Sequence, residues 1–111
     1  MKTLIIVPTL NEQKNIPILY KKLSKTNINF DLLFVDDNSI DGSQEIIKTL
    51  AKKSKKVKYI FRPKKMGVGS AHKDAFKWAY KKKYQILISI DADGTHDPKF
   101  IKLFINRVGL L

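Results

Sequence analysis

The sequence predicts an α/β protein built on a parallel, doubly wound sheet with helices on both faces. Three observations point there. Short apolar runs rich in β-branched residues recur along the chain, segments with apolar residues at helical spacing separate them, and acidic residues follow directly after the runs. Strands alternating with helices in this way imply βαβ units, and such units assemble into a parallel sheet.

The elements follow in order. Thr3 to Val7 (TLIIV) is a continuous apolar run ended by Pro8, which reads as a strand buried on both faces. Asn15-Ile16-Pro17 opens the first helix, with Asn15 as its cap and Pro17 where a missing N–H costs nothing. Ile16, Leu19, Tyr20 and Leu23 give that helix one apolar face. Phe30 to Val35 reads as the second strand, ending in Asp36-Asp37. Asp41-Gly42-Ser43 then turns the chain and caps a helix from about Gln44 to Lys53, with Ile46, Ile47 and Leu50 inward. Val57 to Phe61 is a third strand, placed at an edge by its lysines. Gly67 and Gly69 open a helix reaching about Lys82, with Ala71, Ala75, Phe76 and Ala79 on one side and its aromatics, Trp78 among them, read as core. Gln85 to Ile90 is the fourth strand and stops at Asp91; Asp97-Pro98 starts a last helix running to about Asn106.

Composition narrows the class. At 111 residues the chain is one compact domain with room for a genuine core. An apolar content of 43% excludes a disordered chain of low hydrophobicity. The lack of cysteine excludes disulfides, thiolate zinc ligands and thiol nucleophiles, and it suits a reducing cytoplasm. Leu4 to Val7 is too short for a signal-peptide core, and no stretch approaches the roughly 20 apolar residues that span a bilayer. A cytoplasmic protein is expected, soluble or peripheral on the cytoplasmic face of a membrane. The 22 Lys and Arg against 10 Asp and Glu give a net charge of +12, which attracts phosphorylated ligands, anionic lipid or nucleic acid. The basic residues are scattered and form no recognised nucleic-acid module, so nucleic acid is not an expected partner.

The chemistry sits at the strand ends. In a Rossmann-like sheet, ligands bind beyond the carboxyl ends of the strands. Pro8-Thr9-Leu10-Asn11-Glu12 follows the first strand, Asp36-Asp37-Asn38-Ser39 the second and Asp91-Ala92-Asp93 the fourth. Glu12, Asp36, Asp37, Asp91 and Asp93 would then gather along one edge, where their mutual repulsion asks for a cation. Mg²⁺ or Mn²⁺ takes oxygen ligands, keeps several waters and bridges to phosphates, so Asp91-Ala92-Asp93 reads as a cation clamp for a diphosphate. The other reading is that one of these aspartates caps the following helix. Lys64-Lys65-Met66-Gly67-Val68-Gly69-Ser70 could bring backbone N–H groups to an anion at a helix start, or simply serve helix entry. It lacks the Gly-Lys-Ser/Thr order of a Walker A loop and the third glycine of a dinucleotide fingerprint. His72 reads as a surface or packing residue; His96 reads as a turn residue or a ligand contact.

Four stretches, IIVPTLNEQKNIP, FVDDNSIDGS, RPKKMGVGSAHKDAFKWA and ISIDADGTHDPKFI, together resemble family 2 glycosyltransferases of the GT-A fold, and within them the dolichyl-phosphate (polyprenyl-phosphate) mannosyltransferases. They cover roughly 55 of the 111 positions, in the family's order and spacing. The resemblance implies the N-terminal half of a GT-A domain, a nucleotide-sugar donor, GDP-mannose, and a divalent cation, Mg²⁺ or Mn²⁺. By position, Pro8, Leu10, Glu12, Val35 and Asp37 would line the nucleoside pocket. Asp91 and Asp93 would be the catalytic, metal-holding pair and, with Ala92, would meet the diphosphate; Lys64, Lys65 and Gly67 would lie near the donor. The implied reaction is inverting hexose transfer onto a polyprenyl phosphate, an acceptor already anionic and in little need of a base. An anionic membrane surface would suit the positive charge. Two other readings are a UDP-sugar transferase with another acceptor and a truncated remnant that at most binds nucleotide. Three positions depart from the family pattern. Leu10 stands where tyrosine is usual, Asn38 where glycine is common, and Thr95 where some members carry a further polar residue of the metal site. The family's sheet continues past the position of Leu111, so a C-terminally truncated domain is expected.

Overall fold

The computed structural model describes residues 2–93. Four strands and three helices alternate along them: β1 (Thr3–Thr9), α1 (Asn15–Ser24), β2 (Asp31–Asp36), α2 (Ser43–Lys53), β3 (Val57–Phe61), α3 (Val68–Lys81) and β4 (Ile86–Ser89). All strand pairs are parallel and the order is β3-β2-β1-β4. The chain therefore steps outward from β1 to β2 and β3, then returns to add β4 on the other side of β1. That reversal between β1 and β4 is the topological switch point at which open α/β sheets bind ligands. The last helix expected from Asp97 lies outside the described residues, as do Thr95 and His96.

Alternation along β1 and β2 divides the core into two layers. Ile5, Val7, Leu32 and Phe34 face α1 and α2, packing with Ile16, Leu19, Leu23 and Ile47. Leu4, Ile6, Leu33 and Val35 face the other way, against Ala71, Ala75 and Ala79 of α3. Both layers exclude water, which is why the run after Thr3 is apolar without interruption. Alanines on α3 let that helix sit close to the sheet, a packing an added side chain would push apart.

Several boundaries differ from the sequence reading, each for a local reason. Pro8 lies inside β1, opposite Val35, rather than ending it. Pairing with β4 has already stopped at Ile6, so the absent proline N–H interrupts no ladder on that side. Asn15 is the first residue of α1 and not its cap: its amide and that of Ile16 donate to the Glu12 carbonyl, both at 3.0 Å, while its side chain donates to Glu12 Oε2 at 2.7 Å. Asp41 does accept the Ser43 amide at 2.9 Å, but the residue flanking α2 is Gly42. Phe76 and Tyr80 are exposed, not core, and Phe76 stacks on His72. Trp78 does pack on the core, against Tyr84. None of the described helices is long and apolar enough to cross a membrane.

Tyr84 also closes the end of the sheet away from the crevice. Its hydroxyl donates to Asp31 Oδ2 at 2.5 Å, and burial, that hydrogen bond and the Asp31 charge together hold the phenol well above its usual range. A raised folded-state pKa keeps its stabilising contribution at pH values below the unfolded value and loses it as pH rises beyond that. Stability should therefore fall more steeply above about pH 10 in the wild type than in Tyr84→Phe. At neutral pH the variant should lose about 1 kcal/mol with the hydrogen bond. Urea unfolding at pH 7 and pH 11 measures both.

Candidate functional site

The site is built from the segments that leave the carboxyl ends of β1, β2 and β4. A cavity of about 230 Å³ opens there, lined by Pro8 and Thr9 at the end of β1, Leu10 and Glu12 after it, Val35 and Asp37 at the end of β2, Lys65, Gly67, Val68 and Ala71 at the start of α3, and Asp91, Ala92 and Asp93 after β4. Of the residues predicted for the donor site, Lys64 alone does not line this cavity; its neighbour Lys65 does. Thr9, Val68 and Ala71 join the wall without having been predicted.

Ala92 explains how two aspartates two residues apart reach the same opening. It is buried with Ile88 and Ile90 in the core, while Asp91 and Asp93 on either side are exposed. Ile90 is tied to β1 by its amide, which donates to the Ile6 carbonyl at 3.0 Å. The segment is thus anchored by one small apolar side chain and presents its carboxylates to the crevice.

The acidic edge is less uniform than the sequence suggests. Asp36 is fully buried and does not line the cavity. It accepts hydrogen bonds from Thr9 Oγ1 (2.6 Å), Ser39 Oγ (2.6 Å), the Ser39 amide (2.8 Å) and Gln44 Nε2 (2.9 Å). A carboxylate so supplied with donors needs no metal. The expected row of acidic side chains on the crevice is therefore Glu12, Asp37, Asp91 and Asp93, with Asp36 removed to a structural role.

Asp37, beside it, is neutralised from the protein as well. Its two oxygens accept the Met66 amide (3.0 and 3.1 Å) and the Gly67 amide (2.9 Å), and Arg62 Nη1 lies 3.3 Å away. The glycine loop before α3 does bring backbone N–H groups to an anion, and that anion is Asp37 itself. Gly67 has φ +92°, a conformation other residues rarely adopt, and a Cβ there would meet nothing within 4 Å. The glycine is needed for backbone geometry, not for space. Arg62, which sequence reasoning passed over, joins these parts. The signal was available: a cationic residue directly after a strand, next to a strand ending in two acids.

The loops after β1 and β2 are sewn together. Asn11, at φ 53°, accepts the Ile40 amide on Oδ1 at 2.9 Å, and its own amide donates to Ser39 Oγ at 2.8 Å. The Glu12 amide donates to buried Ser43 Oγ at 2.9 Å, which fixes where that carboxylate emerges. Asp41 accepts the Gln13 amide at 3.2 Å; burial alone would raise its pKa, but the bonds from Ser43 and Gln13 outweigh that and hold it below the usual value. Asn38 takes φ 60°, in the left-handed region where asparagine stands in for glycine at little cost. His72, on α3, shares a 2.6 Å hydrogen bond with Ser89 Oγ and does not line the cavity.

The fold and crevice define an α/β protein of the GT-A type, with an acidic crevice at the switch point of a parallel sheet. The chain belongs to glycosyl transferase family 2, whose family profile matches residues 4–109. It is 32% identical over 108 residues to a polyprenol monophosphomannose synthase of Mycolicibacterium smegmatis, covering 96% of this chain and 41% of that protein. It is 33% identical over 108 residues to an undecaprenyl-phosphate mannosyltransferase of Micrococcus luteus, covering 97% of this chain and 44% of that one. The chain thus spans less than half the length of these relatives. Among solved structures, S. aureus TarS 1-349 in complex with UDP-GlcNAc superposes with a TM-score of 0.76 at 28% identity, over 96% of this chain and 32% of that one. The mannosyltransferase PcManGT of Pyrobaculum calidifontis, in complex with GDP-Man and Mn²⁺, superposes with a TM-score of 0.73 at 22% identity, over 83% of this chain and 27% of that one.

Removing the Asp36 carboxylate should cost stability rather than metal affinity. Asp36→Ala leaves the buried Thr9 hydroxyl and the half-buried Ser39 and Gln44 donors without their acceptor, an expected loss of about 2–4 kcal/mol in denaturant unfolding. Asp36→Asn, which keeps one oxygen, should lose roughly half as much.

Proposed function

We propose that this chain carries the donor-binding part of a polyprenyl-phosphate mannosyltransferase, taking GDP-mannose with Mg²⁺ or Mn²⁺. One observation carries the reading. The Asp91-Ala92-Asp93 segment opens at the switch point onto the same cavity as Pro8, Leu10, Glu12, Val35 and Asp37. At about 230 Å³ the cavity is below the roughly 300–1,000 Å³ of typical small-molecule sites, so it suits one part of an extended ligand.

The side chains divide the work. Pro8, Leu10, Val35 and Ala71 offer apolar walls to a nucleobase. Glu12 offers a carboxylate to hydroxyl or amide donors. Lys65 brings a positive charge toward phosphate. Asp91 and Asp93 are hard oxygen donors, and among the described residues no group of three or more His, Cys, Asp or Glu encloses an ion. That donor set fits Mg²⁺ or Mn²⁺, which keep several waters and complete their shell with phosphate oxygens. When bound, such an ion would offset charge on the departing nucleoside diphosphate. In the proposed transfer the bond from the sugar anomeric carbon to the donor phosphate oxygen breaks. A bond from that carbon to an acceptor phosphate oxygen forms with inversion, and the acceptor needs no base because it is already ionised.

The groups that bind the acceptor are proposed to belong to the share of the relatives that this chain does not span. The lysine-rich surface would favour an anionic membrane on its cytoplasmic side, at about 1 kcal/mol for each lysine near the lipid. A second reading, a UDP-sugar donor, is supported by the likeness to S. aureus TarS, a structure that holds UDP-GlcNAc.

Calorimetric titration of GDP-mannose and of UDP-glucose, with and without Mn²⁺, separates the two. GDP-mannose should bind only with Mn²⁺, and Asp93→Asn should weaken it at least tenfold. Preference for UDP-glucose would move the assignment to the second reading, and metal-independent binding would remove Asp91 and Asp93 from the proposed role.

A further inference from the structure

Arg62 follows β3 directly, and its side chain is 1% exposed. Its guanidinium joins the end of β2 to the start of α3. Nη1 donates to the Gly67 carbonyl at 3.1 Å and lies 3.3 Å from Asp37 Oδ1; Nη2 donates to Ser70 Oγ on the first turn of α3. Nε lies 3.3 Å from Asp74 Oδ2 one turn further on, close enough for an ion pair but without hydrogen-bond geometry, so this buried N–H has no hydrogen-bond partner. Its backbone amide donates to the Asp36 carbonyl at 2.9 Å, so the residue is held at both ends.

Such an arrangement is poorly explained by stability. Burying a guanidinium is costly, and replacing a buried ion pair with apolar groups of the same volume is often neutral or stabilising. An apolar side chain cannot hold a carboxylate, a carbonyl and a hydroxyl in set directions, whereas the planar fork of arginine can. The groups it holds are those that shape the cavity wall. With the Met66 and Gly67 amides donating to it and Arg62 Nη1 3.3 Å away, the Asp37 carboxylate is tied to the loop. Gly67, gripped by its carbonyl from Arg62 and by its amide from Asp37, is the point at which the segment carrying Lys65, Gly67 and Val68 turns into the cavity.

We infer that Arg62 is a positioning residue for the donor site: through Asp37 and Gly67 it fixes the Lys65–Val68 wall without itself touching the ligand. The inference rests on the proposed donor function for its link to binding, and on the geometry alone for its link to the loop. Two readouts keep these apart. Amide hydrogen exchange by NMR reports the Met66 and Gly67 N–H groups, and calorimetry with GDP and Mn²⁺ reports the wall. In Arg62→Lys, which keeps the charge and loses the fork, exchange at these two amides should speed up at least tenfold while β1 and β2 amides keep their protection. GDP affinity should fall at least tenfold in the same variant. Ser70→Ala, a milder change outside the cavity lining, should give a two- to fivefold effect on both readouts and serves if Arg62→Lys does not fold. Wild-type exchange at Met66 and Gly67 in the variants overturns the inference, as does an equal loss of protection throughout the sheet. Unchanged GDP affinity despite a loosened loop overturns the link to binding. If the wild type binds no GDP, the donor reading falls, and exchange confined to those two amides still upholds Arg62 as the anchor of the loop.

Discussion

Two adjacent carboxylates at the end of β2 must each be satisfied in a region with little water, and the loops around the crevice are arranged by that demand. Asp36 is fully buried and Asp37 nearly so. The two take their hydrogen bonds from separate sets of donors. Asp36 collects Thr9, Ser39 and Gln44, which draws the end of β1 and the start of α2 together. Asp37 collects the Met66 and Gly67 amides and Arg62, which draws in the end of β3 and the start of α3. A buried charge without such donors would cost several kcal/mol, comparable with the whole stability of a small domain. The crevice wall is therefore as rigid as these bonds make it.

The sheet supplies the frame on which those loops stand. β1 is central, apolar on both faces, and flanked by β2 and β4, so its carboxyl end lies at the reversal of strand order. Pro8 is tolerated there because the β4 ladder has already ended. The parting of β1 and β4 leaves room for the residues from Pro8 to Glu12 on one side and from Asp91 to Asp93 on the other. Membership of glycosyl transferase family 2 and the likeness to glycosyltransferase structures agree with this frame, which is the part those structures share with the chain.

Much of this was legible from local signals. The apolar run from Thr3, the helical spacing of Ile16, Leu19 and Leu23, and the alanine series of α3 report burial directly, because burial is a demand on single residues. The ends were less legible: Asn15 reads as a cap, but its first-turn amides find the Glu12 carbonyl instead. Phe76 and Tyr80 read as core from their chemistry, yet three small alanines already fill the contact with the sheet and leave both rings exposed.

By itself, the sequence determined the fold class and the strand ends that bear acidic residues, since these follow from periodicity and from position after a strand; most of the side chains that line the crevice came from the resemblance of its motifs to family 2 glycosyltransferases. Tertiary structure alone decided what each acid does. Asp36 and Asp37 are neighbours of the same type, and nothing local distinguishes a carboxylate saturated by Thr9, Ser39 and Gln44 from one gripped by Arg62 and the Gly67 loop. Those partners lie on other elements, and only the packed sheet brings them within hydrogen-bond reach. The same holds for Ala92, whose burial turns Asp91 and Asp93 outward. The role of a charged side chain depends on which distant groups share its dry surroundings, and that is set by the fold as a whole.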